Sequence, residues 1–161
     1  YRRAIDDYLE SPDKYRANME WYHAEIRKCT YRGFSTGFYF GKPSEEAQVY
    51  ESSTYINEYV YLGIVYEVTD SVPGASDTGK PEASQSSSAG RLYRIEQRNK
   101  FCKGDIIEIM KPDGRNIETE VLGIYASDGT EQDSAPHAKQ ELYIRLSEEA
   151  EVNDILRCPA K

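Results

Sequence analysis

The amino-acid sequence predicts a mainly β fold preceded by helices (α+β), in which the strands close into one small antiparallel β-barrel. Helical periodicity is confined to the first 32 residues, and short runs rich in Tyr, Val and Ile follow, separated by turn signals. Six or so short strands of this kind favour a closed barrel, because closure removes exposed sheet edges. We therefore divide the 161 residues into a helical segment, 1–32, and a β-barrel domain, 33–161, with a flexible insertion at 69–90.

Two amphipathic helices are predicted in the N-terminal segment. The first covers 1–10, and its apolar stripe consists of Tyr1, Ala4, Ile5, Tyr8 and Leu9. No capping residue precedes it, so we expect this helix to be the end of a longer one. Ser11 as N-cap and Pro12 at the first helical position begin a second helix, predicted to run to residue 28. Its stripe, expected to pack on the barrel, consists of Tyr15, Met19, Tyr22, Ile26 and Cys29.

The strands are predicted at 36–41, 55–68, 91–97, 105–110, 117–125, 141–146 and 155–157. Gly63 lies in the middle of the longest run and predicts a bulge or sharp bend. Residues 112–114, Pro-Asp-Gly, predict a turn, because Pro fixes φ and Gly accepts a positive φ. Residues 69–90 are mostly Ser, Gly, Pro, Ala and Asp, with almost nothing to bury, which predicts the flexible insertion.

Composition restricts the class of protein. The net charge is −8, with +1 on residues 1–32 and −9 on residues 33–161, which makes the larger part a poor stand-alone nucleic-acid binder. No apolar run is long enough to span a membrane and no signal peptide opens the chain, so we expect a cytoplasmic protein without a membrane partner. The cysteines are too far apart to indicate a zinc site or a disulfide framework; they are Cys29, Cys102 and Cys158.

Catalytic signatures in the sequence are weak. Residues 33–37 spell G-x-S-x-G, but a hydrolase elbow needs its serine on a strand-to-helix turn, and Ser35 is expected at the entry to a strand. His23 and His137 are too few and too scattered for a metal site. The alternating carboxylates between 105 and 120 are typical of a solvated strand face. The sequence therefore identifies no catalytic residue and no metal ligand.

A polar run between two predicted strands, 96–101 (EQRNKF), is the main candidate for contacts. Arg98 and Asn99 could hold a partner or neighbouring backbone groups, and a local arginine patch could touch phosphate. The structural alternative is a hydrogen-bonded corner between strands, in which Phe101 plugs the barrel. The candidate contact residues are Arg91, Arg94, Arg98, Asn99 and, in a later loop, His137.

Four runs match a known family in their order and spacing: 31–43 (YRGFSTGFYFGKP), 96–101 (EQRNKF), 104–110 (GDIIEIM) and 135–137 (APH). Together with Trp21 and the opening YRRAIDDY helix, they cover nearly the whole chain except the insertion. On these residues the chain resembles the C-terminal part of the collagenase-like peptidases of the U-32 family.

The resemblance implies that this chain is the final helix and the C-terminal β-barrel of a longer protein, whose first domain is a modified α/β barrel. The small barrel is similar to lipocalin-like and translation-factor barrels. The family name implies a hydrolase, whereas several relatives are implicated in hydroxylating RNA bases, including the wobble uridine of tRNA, with an iron–sulfur cluster in the α/β barrel. None of the three cysteines here matches that cluster, so we transfer no cofactor and no catalytic residue to this segment.

The resulting expectation is a non-catalytic accessory barrel that packs on its own N-terminal α/β-barrel domain, or positions a substrate, tRNA or peptide, for it. The whole protein is then expected to be an enzyme, either a peptidase or an RNA hydroxylase. This segment alone is expected to have no catalytic activity. Two alternatives stay open. The segment itself could take part in peptide or collagen hydrolysis, or the barrel could bind a small ligand in an open lumen.

Overall fold

The computed structural model describes residues 1–32, 34–45, 55–71 and 90–160, so most of the predicted insertion lies outside the described residues. The chain divides into two compact units, the first comprising Tyr1–Tyr59 with Ala160–Lys161 and the second Val60–Pro159. The helices are α1 (Arg2–Glu10), α2 (Pro12–Ala17) and α3 (Met19–Arg27). The strands are β1 (Tyr59–Thr69), β2 (Leu92–Glu96), β3 (Phe101–Cys102), β4 (Ile106–Met110), β5 (Asn116–Ala126), β6 (Glu131–Gln132), β7 (Ser134–Ala135), β8 (Glu141–Leu146) and β9 (Ile155–Pro159).

The prediction of one continuous helix over 12–28 is wrong, because the helix breaks at Asn18. Ser11 caps α2 as predicted, its side chain accepting from the N–H of Asp13 at 3.2 Å. Asn18 then has φ −93° and ψ 6°, and its side-chain amide donates to the carboxylate of Asp7 at 3.0 Å. Asparagine side chains compete in this way with helical hydrogen bonding, so an apolar stripe does not guarantee an unbroken helix.

Asp7 is a buried carboxylate that joins the helices. Its side chain is 7% exposed, accepts the hydroxyl of Tyr22 and lies 3.2 Å from the ammonium of Lys14. The Tyr22 hydrogen bond lowers the pKa of Asp7; burial opposes this, and the bonds from Asn18 and Lys14 add to it. Tyr22 therefore belongs to the predicted stripe but also ties α3 to α1 through its polar end.

Six strands form a closed antiparallel ring, which confirms the predicted fold class. Their order is β4-β9-β1-β2-β8-β5, and β5 pairs with β4 again, so the two ends of the sheet meet. β6 pairs with β5, and β3 pairs with β7 in a separate two-stranded sheet. The five strands predicted from residue 91 onward are observed with ends within two residues of the expected ones, and the 112–114 turn is present with Gly114 at φ 82°.

One contiguous apolar cluster lies within the ring. Buried residues alternate with more exposed ones along the strands, as the two-residue period of a strand requires. Phe101 is 2% exposed and belongs to this cluster. The largest fully buried apolar members are Leu62, Val65, Tyr93, Ile95, Ile107, Ile109, Ile124, Leu142, Ile144, Leu146 and Leu156.

Gly63 marks a close approach of two backbones, and the bulge predicted there lies further along the strand. A Cβ atom at position 63 would lie 2.7 Å from the carbonyl oxygen of Glu96, which only glycine avoids. The pairing of β1 with β2 becomes irregular between Val65 and Glu67. The sequence thus identified a special position, and the structure adds the close approach of the Glu96 carbonyl as a reason for glycine there.

The strand predicted at 36–41 is wrong, because these residues form a turn. The N–H of Tyr39 donates to the carbonyl of Thr36 at 3.2 Å, and the N–H of Gly41 donates to that of Phe38 at 3.3 Å. Both glycines of the segment have positive φ, 56° and 120°, which extended strand geometry excludes. The aromatic residues have high strand propensity, but the glycines determine the local conformation.

Candidate functional site

Of the predicted contact residues, Arg98, Asn99 and His137 belong to two segments that Gln97 joins by hydrogen bonds, whereas Arg91 lies at the other end of β2 and Arg94 in the middle of that strand. Gln97 is fully buried; its N–H donates to the carbonyl of Gln140 at 2.9 Å, and its carbonyl accepts from the N–H of Lys139 at 2.6 Å. Its side-chain Nε2 donates to the carbonyl of Ala135. His137, in the same loop, is exposed. In chain order the predicted residues are Arg91 before β2, Arg94 on β2, Arg98 and Asn99 in the segment 96–101 (the corner), and His137 in the segment 135–140 (the facing loop).

Arg98 and Asn99 both contact their own chain. The N–H of Arg98 donates to the carbonyl of Leu62 at 2.8 Å, and its guanidinium lies 2.8 Å from the carboxylate of Glu96. The side-chain amide of Asn99 donates to the carbonyl of Tyr61 at 2.7 Å. These bonds fasten β1 to the corner. They leave the Arg98 side chain, 42% exposed, as the part of the corner that a partner could reach.

Arg91 and Arg94 each lie beside carboxylates. Arg91 is 3.2 Å from Glu149, and Arg94 is 3.0 Å from Glu67 and 3.7 Å from Glu141. The hydrogen bond that Arg94 donates to Glu67 raises the pKa of Arg94, so the guanidinium stays charged and paired. A phosphate would have to displace these carboxylates. The arginines of the predicted phosphate patch are therefore neutralised locally.

Three consecutive aromatic side chains project from the turn at 36–41, which we name the aromatic turn. Phe38, Tyr39 and Phe40 are 80%, 93% and 89% exposed. Leaving such side chains in water forgoes about 1.5–3 kcal/mol of burial for each. Contiguous exposed apolar surface is typical of an interaction site. The sequence predicted a strand here, and the available signal for a turn was the pair of glycines followed by Pro43.

The chain before the aromatic turn is anchored. Tyr31 forms a bridge with Ile56 through two backbone hydrogen bonds of 3.0 and 2.6 Å, and its hydroxyl donates to Glu58 at 2.7 Å. The bond to Glu58 raises the pKa of Tyr31, so the hydroxyl remains a donor at neutral pH. The ring of Phe34 stacks on that of Tyr31 with centroids 4.5 Å apart. The turn is therefore presented from a fixed base.

The aromatic turn lies within a positively charged stretch of sequence. Residues 26–44 contain four basic residues and no acidic one, although the whole chain has a net charge of −8. Arg32 places its guanidinium 4.3 Å from the ring centroid of Tyr55, a contact that orients the cation without neutralising it. Lys28 is paired with Glu25 at 2.7 Å. The four basic residues are Arg27, Lys28, Arg32 and Lys42.

Ser35 does not lie on a nucleophile elbow. It is exposed in an irregular segment before the aromatic turn, and its Oγ accepts from the N–H of Gly37 at 3.3 Å. Over the described ranges, no group of three or more His, Cys, Asp or Glu side chains is placed to hold a metal ion, and the three cysteines are free. In the same part of the chain, none of the helices has the length and apolar character needed to cross a membrane.

Comparison with known proteins shows which proteins the chain is similar to. Residues 82–157 match the sequence profile described as the peptidase family U32 C-terminal domain. Over these residues, just under half of its length, the chain is similar to the U32 C-terminal domain. The chain is similar to tRNA hydroxylation protein P1 of Bacillus subtilis strain 168, with 27% identity over 157 residues. That match covers 98% of this chain and 33% of the relative, so the chain spans about a third of the relative's length.

Two crystal structures are also similar to this chain. Both are of the C-terminal domain of a protein described as a U32 peptidase from Geobacillus thermoleovorans, one of them a selenomethionine variant. The first is 20% identical, with a TM-score of 0.44, and the match covers 60% of this chain and 88% of that one. The variant is 21% identical, with a TM-score of 0.43, 62% of this chain and 99% of that one being covered.

Proposed function

We propose that this chain is the accessory, non-catalytic domain of a longer U32 protein, and that it packs on, or positions substrate for, an N-terminal α/β-barrel domain that hydroxylates tRNA in the cytoplasm. The observation that carries the proposal is the match of nearly the whole chain to about a third of a protein named for tRNA hydroxylation. The boundary between helical segment and barrel domain, at residues 32 and 33, remains part of this proposal, as does an iron–sulfur cluster in the other domain.

The use of the polar residues at the corner supports an accessory role. The backbone groups and the side-chain Nε2 of Gln97 are hydrogen-bonded to the facing loop, and Asn99 is bonded to β1. Arg98 is paired with Glu96. Side chains used in this way hold loops in place, and they give the sheet a rigid junction that a neighbouring domain or a substrate can contact.

The filled interior supports the accessory role over a small-ligand barrel. Tyr93, Leu142 and Ile144 are fully buried in the apolar cluster within the ring, and they come from two neighbouring strands. Small barrels of this kind are filled by their own side chains, whereas ligand-binding barrels keep an open lumen.

The stripe predicted on α1 supports packing on another domain. Its apolar members remain largely exposed: Tyr1 is 100%, Ile5 55%, Tyr8 55% and Leu9 76% exposed. An amphipathic helix is normally stabilised by burial of its apolar face. We propose that this stripe is the surface that packs on the α/β-barrel domain.

The test is a profile of modified nucleosides in tRNA from cells that lack the full-length gene. We expect a hydroxylated nucleoside to disappear, the full-length gene to restore it, and a Leu9→Asp version to restore it only in part, because a charge on the stripe opposes packing. Val152→Asp is the matched control, since Val152 is exposed at 48% on the other unit. An unchanged nucleoside profile on deletion of the gene would contradict the proposal.

A further inference from the structure

We propose that the aromatic turn is a binding site for single-stranded RNA, with bases stacking on Phe38, Tyr39 and Phe40 and phosphates held by Arg32 and Lys42. The inference deepens the proposed function and rests on it for the identity of the RNA, a tRNA. The site itself is argued from exposure, side-chain type and charge.

Exposure and backbone geometry make the turn suitable for stacking. The three rings are at least 80% exposed and follow one another on a turn fixed by two backbone hydrogen bonds. The stack of Phe34 on Tyr31 fixes the chain that leads into it. Rings presented in this way lose little freedom when a base stacks on them, which favours binding.

Side-chain type distinguishes a base from an apolar protein surface as the occupant. Between residues 31 and 44 every large apolar side chain is aromatic, and Leu, Ile, Val and Met are absent from the sequence. Every nucleobase has a π-face, so a row of rings binds bases without needing a particular sequence. A loop of tRNA offers unpaired bases of this kind, whereas an A-form duplex keeps its bases stacked inside.

The basic residues around the aromatic turn also favour RNA as the ligand. The stretch 26–44 carries four basic residues and no acidic one, within a chain whose net charge is −8. Arg32 and Lys42 flank the aromatic turn in the sequence, and over the described residues neither is found in an ion pair. An RNA backbone supplies an anionic partner for these cations, and such contacts make binding depend on salt.

The experiment measures fluorescence anisotropy of a labelled oligouridylate and of a labelled anticodon-type RNA hairpin on the full-length protein that carries this chain. An RNA duplex and an oligodeoxyuridylate serve as the comparison ligands. We expect the hairpin and the oligouridylate to bind more tightly than the duplex. Tyr39→Ala should weaken hairpin binding by about fivefold or more, the low end of the loss for one stacked base.

Three further variants separate stacking from apolar contact. Tyr39→Phe keeps the ring and should bind within about twofold of wild type, whereas Tyr39→Leu keeps apolar bulk without a π-face and should weaken binding as Ala does. Tyr1→Ala is the matched control, since Tyr1 is a fully exposed ring outside the turn. Lys42→Ala should reduce the salt dependence, and Lys100→Ala, an exposed lysine at the corner, should not.

Several results would overturn the inference. Binding that is unchanged in Tyr39→Ala, or retained in Tyr39→Leu, would show that the turn does not stack bases. Tighter binding of the duplex than of the hairpin would show the same. A lower melting temperature of the full-length protein in Tyr39→Ala, with unchanged RNA affinity, would make the turn an internal docking contact.

The outcome is separable from that of the proposed function. Loss of the hydroxylated nucleoside on gene deletion, together with unchanged RNA binding in the turn variants, would leave the proposed function intact and remove this inference. RNA binding that depends on Tyr39, together with an unchanged nucleoside profile, would support the binding site and remove the tRNA hydroxylation proposal.

Discussion

Replacing Lys111 by Met should destabilise the β-ring by about 3–5 kcal/mol, the usual effect of leaving a buried charge without its partner. The Lys111 side chain is 6% exposed, and its Nζ lies 2.7 Å from the carboxylate of Asp154, which is 2% exposed. A second carboxylate, that of Glu151, lies 3.3 Å away but is 80% exposed. Met keeps the length and apolar character of the lysine stem, so the change removes the ammonium and leaves Asp154 charged and buried.

The pKa of Lys111 supports this reasoning. Burial disfavours the charged ammonium, but the hydrogen bond and charge of Asp154, and then those of Glu151, outweigh burial and raise the pKa above its ordinary value. A raised pKa means that the stabilisation is fully present below the ordinary lysine pKa and is lost as the pH rises through the raised one. The wild-type chain should therefore lose more stability at strongly alkaline pH than Lys111→Met does.

The assay is urea unfolding followed by far-UV circular dichroism, with Arg115→Met as the matched control. Arg115 forms a 2.6 Å ion pair with Asp113 on the hairpin that follows Lys111, but the two side chains are 68% and 53% exposed. We expect this exposed pair to contribute less than about 1 kcal/mol. Equal effects of the two substitutions would refute the claim that burial makes the Lys111 pair strong.

Three other outcomes are expected. Asp7→Asn should make the stability of the fold depend less on pH in the acidic range. The lowered pKa of Asp7 stabilises the fold fully above the ordinary value of 3.8, and this stabilisation is lost as the pH falls through the lowered pKa. Thermal melts over a pH series measure the effect. Gly63→Ala should cost about 1–3 kcal/mol in urea unfolding, because its Cβ would lie 2.7 Å from a backbone oxygen, whereas Gly90→Ala, with nothing within 4 Å, should be nearly neutral. The purified chain should not cleave casein or gelatin; cleavage that survives repurification and is lost in Ser35→Ala would contradict the accessory role.

The two-residue alternation of apolar residues explains why most strands of the ring could be predicted from the sequence. Buried and more exposed residues alternate along β4 and through most of β2 and β5, and the Pro-Asp-Gly turn separates β4 from β5, so local signals coincide with the final fold there. The role of Gln97 could not be predicted in the same way. Its amide is buried because the carbonyl of Ala135, 38 residues away in the sequence, accepts its hydrogen bond, and no local pattern specifies such a partner.

The aromatic turn shows a different limit of sequence reasoning. Phe, Tyr and Thr favour strands, so the run 36–41 has the composition of a strand. Gly37 and Gly41 adopt positive φ, which ends any extended conformation at both sides of the three rings. Composition therefore favours a buried strand while the backbone places the rings in water. Glycines that flank a short aromatic run at both ends are better interpreted as a turn.

The charge distribution explains why an acidic chain can still carry an RNA-binding turn. The deficit of basic residues over 33–161 makes that part a poor nucleic-acid binder as a whole, and the structure pairs Arg91, Arg94 and Arg98 with carboxylates. Residues 26–44, around the aromatic turn, contain four basic residues and no acidic one, and of these Lys28 is paired with Glu25. Exposed charges separated by more than a Debye length, about 8 Å at physiological salt, are largely screened from each other. An RNA held at the turn therefore experiences the local cations far more than the net charge, and the acidic remainder discourages binding elsewhere on the chain.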